Sequence, residues 1–417
     1  AGPAAASACG DFSGAVADAA ALGVDLGRRL RLGAEPCVVD LTGGPASPLV
    51  LYPAERSPGG ICAVDDLLFP RGGVWASPAS WRDITGHLAR GKVLGFDEAF
   101  EAVRRAKGHA FAGGNGSALS TWVVNIGAHD GECDGGAHFD PANCLLFGGS
   151  GEFTGVLIES DPKAFEALEA VAASRQPRLA DASPWSRHRL VRSFVTPDTV
   201  VEVVAAELPT AEPFLLKVDV DNADCTLVHR LLEVFSPLFV HVEINPLLPP
   251  PIVFRSLFDG GVDTAARMRR LEQAHVAGCS LAALLEDANA RRARDAGPRG
   301  PPSTRRYELL HVDFANAALA RADVLAALRL ALGERWASTL PASPEAKWRA
   351  GYLCHPLARH LFGLEWAARC DVRAFADVRE PVERRLELVR DWLEQVAGNA
   401  GGRVGYELYI APDVAQQ

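Results

Sequence analysis

The sequence predicts a doubly wound α/β fold, in which a mostly parallel sheet carries helices on both faces. Short, nearly continuous apolar runs, the first at residues 122–126, are typical of strands buried on both sides. Helical patterns alternate with these runs at short intervals, as they do around a parallel sheet. Polar residues follow the runs directly, and ligands of such sheets bind at the carboxyl ends of the strands. We therefore expect a functional site at that edge of the sheet.

The first predicted strand leads into a glycine-rich turn between Gly127 and Gly131, with Asn125 just before it. Glycine allows a sharp turn and lets a ligand approach the main chain closely. The spacing is G-x-x-x-G, whereas dinucleotide sites use G-x-G-x-x-G and phosphate-binding loops use G-x-x-x-x-G-K-[ST]. The turn therefore argues against NAD and ATP as ligands.

Four further strands are predicted downstream of this turn. The second strand ends at Glu159, where a carboxylate can accept two hydrogen bonds side by side from a ribose. The five predicted strands cover residues 122–126, 155–159, 189–195, 214–220 and 238–244. The helices after the second, third and fourth strands are predicted at residues 163–173, 196–208 and 225–235. Residues 219–224 and 243–245 place more polar groups at the ends of the fourth and fifth strands.

Three segments of the chain together resemble the FkbM-type S-adenosylmethionine-dependent methyltransferases. They are the N-x-G-A-x-x-G turn at residues 125–131, the acidic strand end at residues 156–159 and the block L-K-V-D-V-D-N-A-D at residues 216–224. Asn222 and Asp224 depart from that family's usual Gly and Glu in the last block. The resemblance covers residues 118–255 and extends toward residue 325, and residues 243–252 resemble a eukaryotic, often algal, branch.

The resemblance implies a Rossmann-like class I methyltransferase core. In that fold the sixth and seventh strands form a hairpin with an antiparallel seventh strand, and residues 307–314 and 317–322 fit these two strands. It also implies S-adenosylmethionine as the cofactor. The cofactor-binding candidates are Asn125, Gly127, Gly131, Glu159 and Asp219.

The implied reaction is in-line transfer of the sulfonium methyl group, in which positioning in a dry cleft supplies most of the catalysis. An oxygen acceptor also has to lose a proton to a base within reach. The catalytic candidates are Asp219, Asp221 and His129, and Glu243 is a further base candidate. For each of them, a role in positioning the cofactor or in the structure is the alternative. The sequence does not identify the methyl acceptor.

The chain divides into an N-terminal extension at residues 1–117, the methyltransferase-like core at residues 118–325 and a helical C-terminal appendage at residues 326–417. The two appendages are candidate surfaces for protein partners. They also leave open an alternative function, in which the domain is catalytically silent and serves as a structural subunit of a larger assembly. The altered block at Asp221 and Asn222 favours this alternative.

Composition excludes several other classes of protein. With 417 residues, 48% hydrophobic and 23% charged, the sequence is that of a globular protein. The net charge of −10 argues against a general nucleic-acid binder. No apolar run reaches the ~18 residues of a membrane span.

Cysteine and histidine usage predicts no metal site. The nine cysteines include no C-x-x-C pair, and the histidines and cysteines between residues 129 and 144 lack zinc-finger spacing. The chain begins with alanine, and its single methionine is Met268. We therefore expect that a targeting segment has been removed, which would suit an organellar or secretory location.

Overall fold

The structure is a computed structural model of the chain. It describes residues 37–39, 49–51, 95–110, 119–133, 140–148, 152–175, 188–220, 223–257, 278–295, 306–313, 315–337, 343–348, 351–352, 380–399 and 405–411. The catalytic candidate Asp221 lies outside these residues. Among the described helices, none is both long enough and apolar enough to cross a membrane.

The described residues form eleven strands, which are numbered β1 to β11 in chain order. They are Cys37–Val39, Leu49–Leu51, Trp122–Ile126, Thr154–Glu159, Arg189–Arg192, Leu215–Val218, Phe239–Glu243, Ile252–Ser256, Tyr307–Asp313, Asn316–Arg321 and Tyr406–Ile410. Strands β1 and β2 form a separate antiparallel pair. Strands β3 to β7, β9 and β10 form the central sheet.

The central sheet has seven strands in the order β5-β4-β3-β6-β7-β10-β9. Strands β3 to β7 are parallel, and β10 runs antiparallel to both of its neighbours. This order, with an antiparallel strand inserted by the closing hairpin, is the doubly wound class I methyltransferase fold that the sequence predicts. The strand order reverses at β3, which lies between β4 and β6, and such a switch point places a crevice at the carboxyl end of β3.

Nine helices lie in the described part of the chain and are numbered α1 to α9 in chain order. They are Phe96–Ala110, Pro141–Asn143, Pro162–Arg175, Val200–Glu207, Asp224–Leu232, Leu281–Asp295, Ala322–Ala337, Pro344–Trp348 and Val382–Asn399. The short α2 continues into one π-helical turn, Cys144–Gly148. The buried side chains form two hydrophobic clusters, and alternate residues of the central strands contribute to one or the other. This alternation explains the continuous apolar runs in the sequence.

Helix α1 packs onto the sheet although it precedes the predicted core. The rings of Phe96 and Phe239 lie 5.6 Å apart, and those of Phe100 and Phe214 lie 5.2 Å apart, both edge to face. Such pairs add to the hydrophobic gain from burial. The predicted division at residue 117 therefore separates α1 from the sheet that it covers.

The C-terminal strand β11 pairs antiparallel with β8, so the end of the appendage joins the core. Arg255 on β8 connects the two strands to α6. Its guanidinium donates to Asp287 at 2.9 Å through both Nε and Nη2, and to Glu286 at 2.5 Å. It also reaches Glu407 and Tyr409 of β11 at 3.2 and 3.1 Å.

Two disulfides lie within the described residues. Cys133 and Cys144 join the segment after the glycine turn to the end of α2, across a separation of 11 residues. Cys225 and Cys279 join α5 to the residues before α6. The first pair is partly exposed and the second is buried.

We expect Cys133→Ser to lower the free energy of unfolding by about 2–3 kcal/mol, because it releases a short closed loop in the unfolded chain. Urea denaturation under non-reducing conditions measures this loss. The Cys133→Ser/Cys144→Ser double variant is the control, since either serine breaks the same bond and the double variant should lose no more. Losses that add between the two single variants would contradict the disulfide.

Candidate active site

The glycine turn passes directly against the end of β6. Gly127 and Gly131 have φ angles of +78° and +79°, and His129 between them has a φ of +49°. A Cβ atom on Gly127 would lie 1.8 Å from the backbone oxygen of Asp219. The Gly127 amide donates to the Ile158 oxygen at 2.9 Å. Glycine is therefore required at position 127 by both backbone conformation and space.

Glu159, the predicted ribose acceptor, binds the backbone around the turn. Its Oε2 accepts from the His129 amide at 2.8 Å, and its Oε1 accepts from the amides of Ser160 and Asp161, both at 2.7 Å. A carboxylate offers about four lone-pair positions. The described residues use three of them, which leaves one position on Oε2 for a ligand hydroxyl.

Asn125, Asp140 and Asn143 form a buried hydrogen-bonded cluster that packs against the glycine turn. Asn125 is fully buried in β3, and its Nδ2 donates to Asp140 Oδ2 at 3.0 Å and to Asn143 Oδ1 at 2.9 Å. Asp140 also caps α2 by accepting from the Asn143 amide. Asn143 in turn donates to the oxygen of Ala128 inside the turn at 2.9 Å. The cofactor candidate Asn125 therefore acts within this cluster, where it fixes α2 against the turn.

Lys217 is the buried cation at this edge of β6. Its ammonium donates to the Gly127 oxygen at 2.7 Å and lies 3.1 Å from Asp140 Oδ2 and 3.4 Å from Asp219 Oδ2. Burial lowers the pKa of Lys217, but Asp140 and Asp219 outweigh burial and raise the pKa above its ordinary value. The lysine is therefore charged at neutral pH, and it connects the turn, α2 and the end of β6.

The pKa values of the neighbouring groups follow from this cation. Burial raises the pKa of Asp219, but Lys217 and His241 outweigh burial and hold that pKa below its ordinary value. His241 is directly opposite Lys217 in the β6–β7 register and is buried. Burial first, and then Lys217, lowers the pKa of His241 to about 4. At neutral pH, Asp219 is thus an anion and His241 is uncharged.

Two more carboxylates join Asp219 at the ends of the central strands. Oxygen atoms of Asp219, Asp224 and Glu243 lie within 4.8 Å of one another. Asp224 is buried and accepts from the Val220 amide at 2.8 Å, and Glu243 lies at the end of β7. The carboxyl edge of the sheet is consequently rich in negative charge.

The structure brings most of the predicted site residues to one edge. Asn125, Gly127, Gly131, Glu159 and Asp219 all lie at the carboxyl ends of β3, β4 and β6, or in the turn after β3. The side chain of the catalytic candidate His129 is 68% exposed, and its Nδ1 lies 3.3 Å from Asp130. The backbone amide of His129 contacts the site, since it donates to Glu159.

Sequence reasoning did not assign roles to Lys217, Asp140 and Asn143 in the site. Lys217 is a charged residue inside the otherwise apolar strand β6, and Asp140 is the N-cap residue of the short helix α2. A charged side chain in a buried strand needs partners of opposite charge or hydrogen-bond acceptors. The position of Lys217 in an apolar strand was therefore the sequence feature that indicated a buried polar site. Its partners could not be identified from the sequence, because Gly127 is 90 residues away.

No family model and no curated protein matches this chain. Among solved structures, the chain is similar to the METTL16 MTase domain, with 12% identity and a TM-score of 0.22, over 39% of this chain and 62% of that domain. It therefore spans less than two thirds of that domain. It is also similar to the plantazolicin methyltransferase BamL, solved in complex with a triazolic desmethylPZN analog and SAH, with 8% identity and a TM-score of 0.28, over 62% of this chain and 80% of that one.

Proposed function

We propose that the protein binds S-adenosylmethionine at the glycine turn and transfers its methyl group to an oxygen of an acceptor molecule. The observation that carries this proposal is the charge of the cleft beside the turn. Asp140, Asp219 and Glu243 outnumber the buried cation Lys217, whose ammonium is already held by two carboxylates and a carbonyl. Such a cleft repels a phosphorylated nucleotide and attracts a nucleoside with a positive charge.

The residues around the turn fit this cofactor. The missing side chain at Gly127 brings the backbone of the turn against Asp219, so a ligand over the turn also meets that carboxylate. Glu159 retains one lone-pair position for a ribose hydroxyl after its three backbone bonds. When bound, S-adenosylmethionine supplies an electrophilic methyl group on a positively charged sulfur.

The chemical role of Asp219 follows from its ionisation. A general base works best when its pKa lies near the operating pH, and the pKa of Asp219 is held below its ordinary value. Asp219 is therefore better suited to attract a cationic cofactor than to remove a proton. Glu243, whose carboxylate oxygen lies within 4.8 Å of that of Asp219, is the stronger candidate for receiving the proton that the acceptor oxygen loses when the oxygen–carbon bond forms.

Calorimetric titration with S-adenosylmethionine and S-adenosylhomocysteine tests the proposed function. We expect micromolar binding of both ligands and none of NAD or ATP. Gly131→Val should abolish the binding, because a Cβ at this position would lie 2.7 Å from Leu168 Cδ1 and the residue has a positive φ. The matched control is Gly333→Val, since Gly333 has a φ of +79° but lies in α7, away from the site.

A well-folded wild type that binds neither ligand would rule out the proposed enzyme. The alternative of a catalytically silent structural subunit would then be favoured, and the search would turn to protein partners. If Gly131→Val keeps its fold and still binds the ligands, the cofactor site does not lie at this turn.

A further inference from the structure

Lys217 contacts the proposed cofactor turn from inside the protein. Its side chain is 3% exposed, the side chain of Asp140 is 12% exposed and that of Asp219 is 37% exposed. The ion-pair network therefore begins in the core and reaches solvent through the carboxylate of Asp219. Two carboxylates share one ammonium, so the network carries a net negative charge.

We propose that Lys217 is a positioning residue that keeps the Asp219 carboxylate ionised and fixed beside the glycine turn, so that the site prefers S-adenosylmethionine over S-adenosylhomocysteine. This inference rests on the proposed function. The two ligands differ by the sulfonium charge and its methyl group. A fixed anion beside the turn attracts the charged sulfur and gains nothing from the neutral thioether.

The geometry gives Lys217 two effects on the same ligand. Its bond to the Gly127 oxygen fixes the turn, on which both ligands depend. Its ion pair with Asp219 orients the carboxylate, on which only the charged ligand depends. A structural role alone would change the affinity for both ligands equally. The ratio of the two dissociation constants therefore separates positioning of Asp219 from simple support of the fold.

The groups that face this network determine how the preference depends on pH. Three groups face Lys217. They are Asp140 at the start of α2, Asp219 directly after β6 and His241 on β7. Asp219 also faces Asp224 and Glu243. His241 has a pKa lowered to about 4, so it adds no charge between about pH 5 and pH 7.

In the wild type, Asp219 stays ionised across this range because Lys217 helps to lower its pKa. Without the ammonium, the burial of Asp219 and the neighbouring carboxylates raise that pKa. The carboxylate of such a variant then gains a proton as the pH falls. The preference for the charged ligand should accordingly be independent of pH in the wild type and should weaken toward low pH in a Lys217 variant.

The experiment measures the dissociation constants of both ligands at about pH 5, 6 and 7 for the wild type, Lys217→Met, Lys217→Arg and Asp219→Asn. We expect Asp219→Asn to reduce the preference about tenfold at every pH, and Lys217→Met to reduce it most at the lowest pH, where the reduction reaches a similar factor. Lys217→Arg keeps the positive charge and should retain most of the preference. The matched control is Lys347→Met, which removes another partly buried lysine bonded to a backbone oxygen.

Lys217→Met leaves the carboxylate of Asp140 without its cation and can therefore fail to fold. The Asp140→Asn/Lys217→Met double variant removes that orphaned charge and carries the same expectation. A preference in these variants that equals the wild-type value at every pH overturns the inference. Failure of the proposed function is a different result, since the wild type would then bind neither ligand.

Discussion

Gly127→Ala is expected to lower the free energy of unfolding by about 2–4 kcal/mol and to abolish binding of S-adenosylmethionine. Two costs combine at this position. The backbone has a φ of +78°, which an L side chain rarely adopts. The new Cβ would also lie 1.8 Å from the Asp219 oxygen, so the turn and the end of β6 have to separate. Urea denaturation gives the loss of stability, and calorimetry gives the loss of binding.

The control for this variant is Gly333→Ala in α7. Gly333 has nearly the same φ, +79°, but a Cβ there meets no heavy atom of the described chain within 4 Å. It therefore reports backbone strain alone, about 1–2 kcal/mol. If both variants cost the same and Gly127→Ala still binds the cofactor, the close approach between the turn and Asp219 does not determine the site.

The succession of strands along the chain could be predicted from the sequence because local patterns are strong there. Apolar runs, glycine turns and acidic strand ends recur in one order, and the family resemblance supplied the closing hairpin. Strand ends were predicted less well. The third predicted strand extended to residue 195, whereas β5 ends at Arg192 and Phe194 beyond it is 54% exposed. The sequence does not distinguish an apolar residue that follows the last hydrogen bond between two strands from one that lies inside the strand.

Strand β8 was not predicted, since it follows Pro249, Pro250 and Pro251 and this composition favours a turn. Its partner β11 lies more than 140 residues further along the chain, so no local pattern reveals the pairing. Residues Tyr406–Ile410 form β11, but their sequence alone does not indicate a partner strand.

The candidate site shows the same division between local and distant information. Gly127 and Gly131 carry local signals for positive φ, and the structure gives both residues that conformation. The contacts of Lys217 with Gly127 and Asp140 span 90 and 77 positions, and only the folded sheet brings them together. Glu159 was predicted as a ribose acceptor from its position, but its bonds to three backbone amides depend on how the turn folds back over β4.

Arg255→Met is expected to lower the free energy of unfolding by about 3–5 kcal/mol. The side chains of Arg255 and Asp287 are both 13% exposed, so the variant leaves Asp287 without its cation in a poorly solvated place. It also removes the donor that joins Glu407 and Tyr409 of β11 to β8. Loss of these contacts should release β11 before the rest of the fold. Limited proteolysis should then cleave the variant faster between α9 and β11.

The control is Arg384→Met on α9. Arg384 is 54% exposed and pairs with Glu387 one helical turn away, so we expect a change below about 0.5 kcal/mol. The comparison bears on function, because a C-terminal strand bound tightly within its own fold is not available as an arm for partner proteins. If Arg255→Met leaves stability and proteolysis unchanged, β11 is only loosely attached, and the alternative of an assembly subunit that docks through its C-terminal appendage becomes stronger.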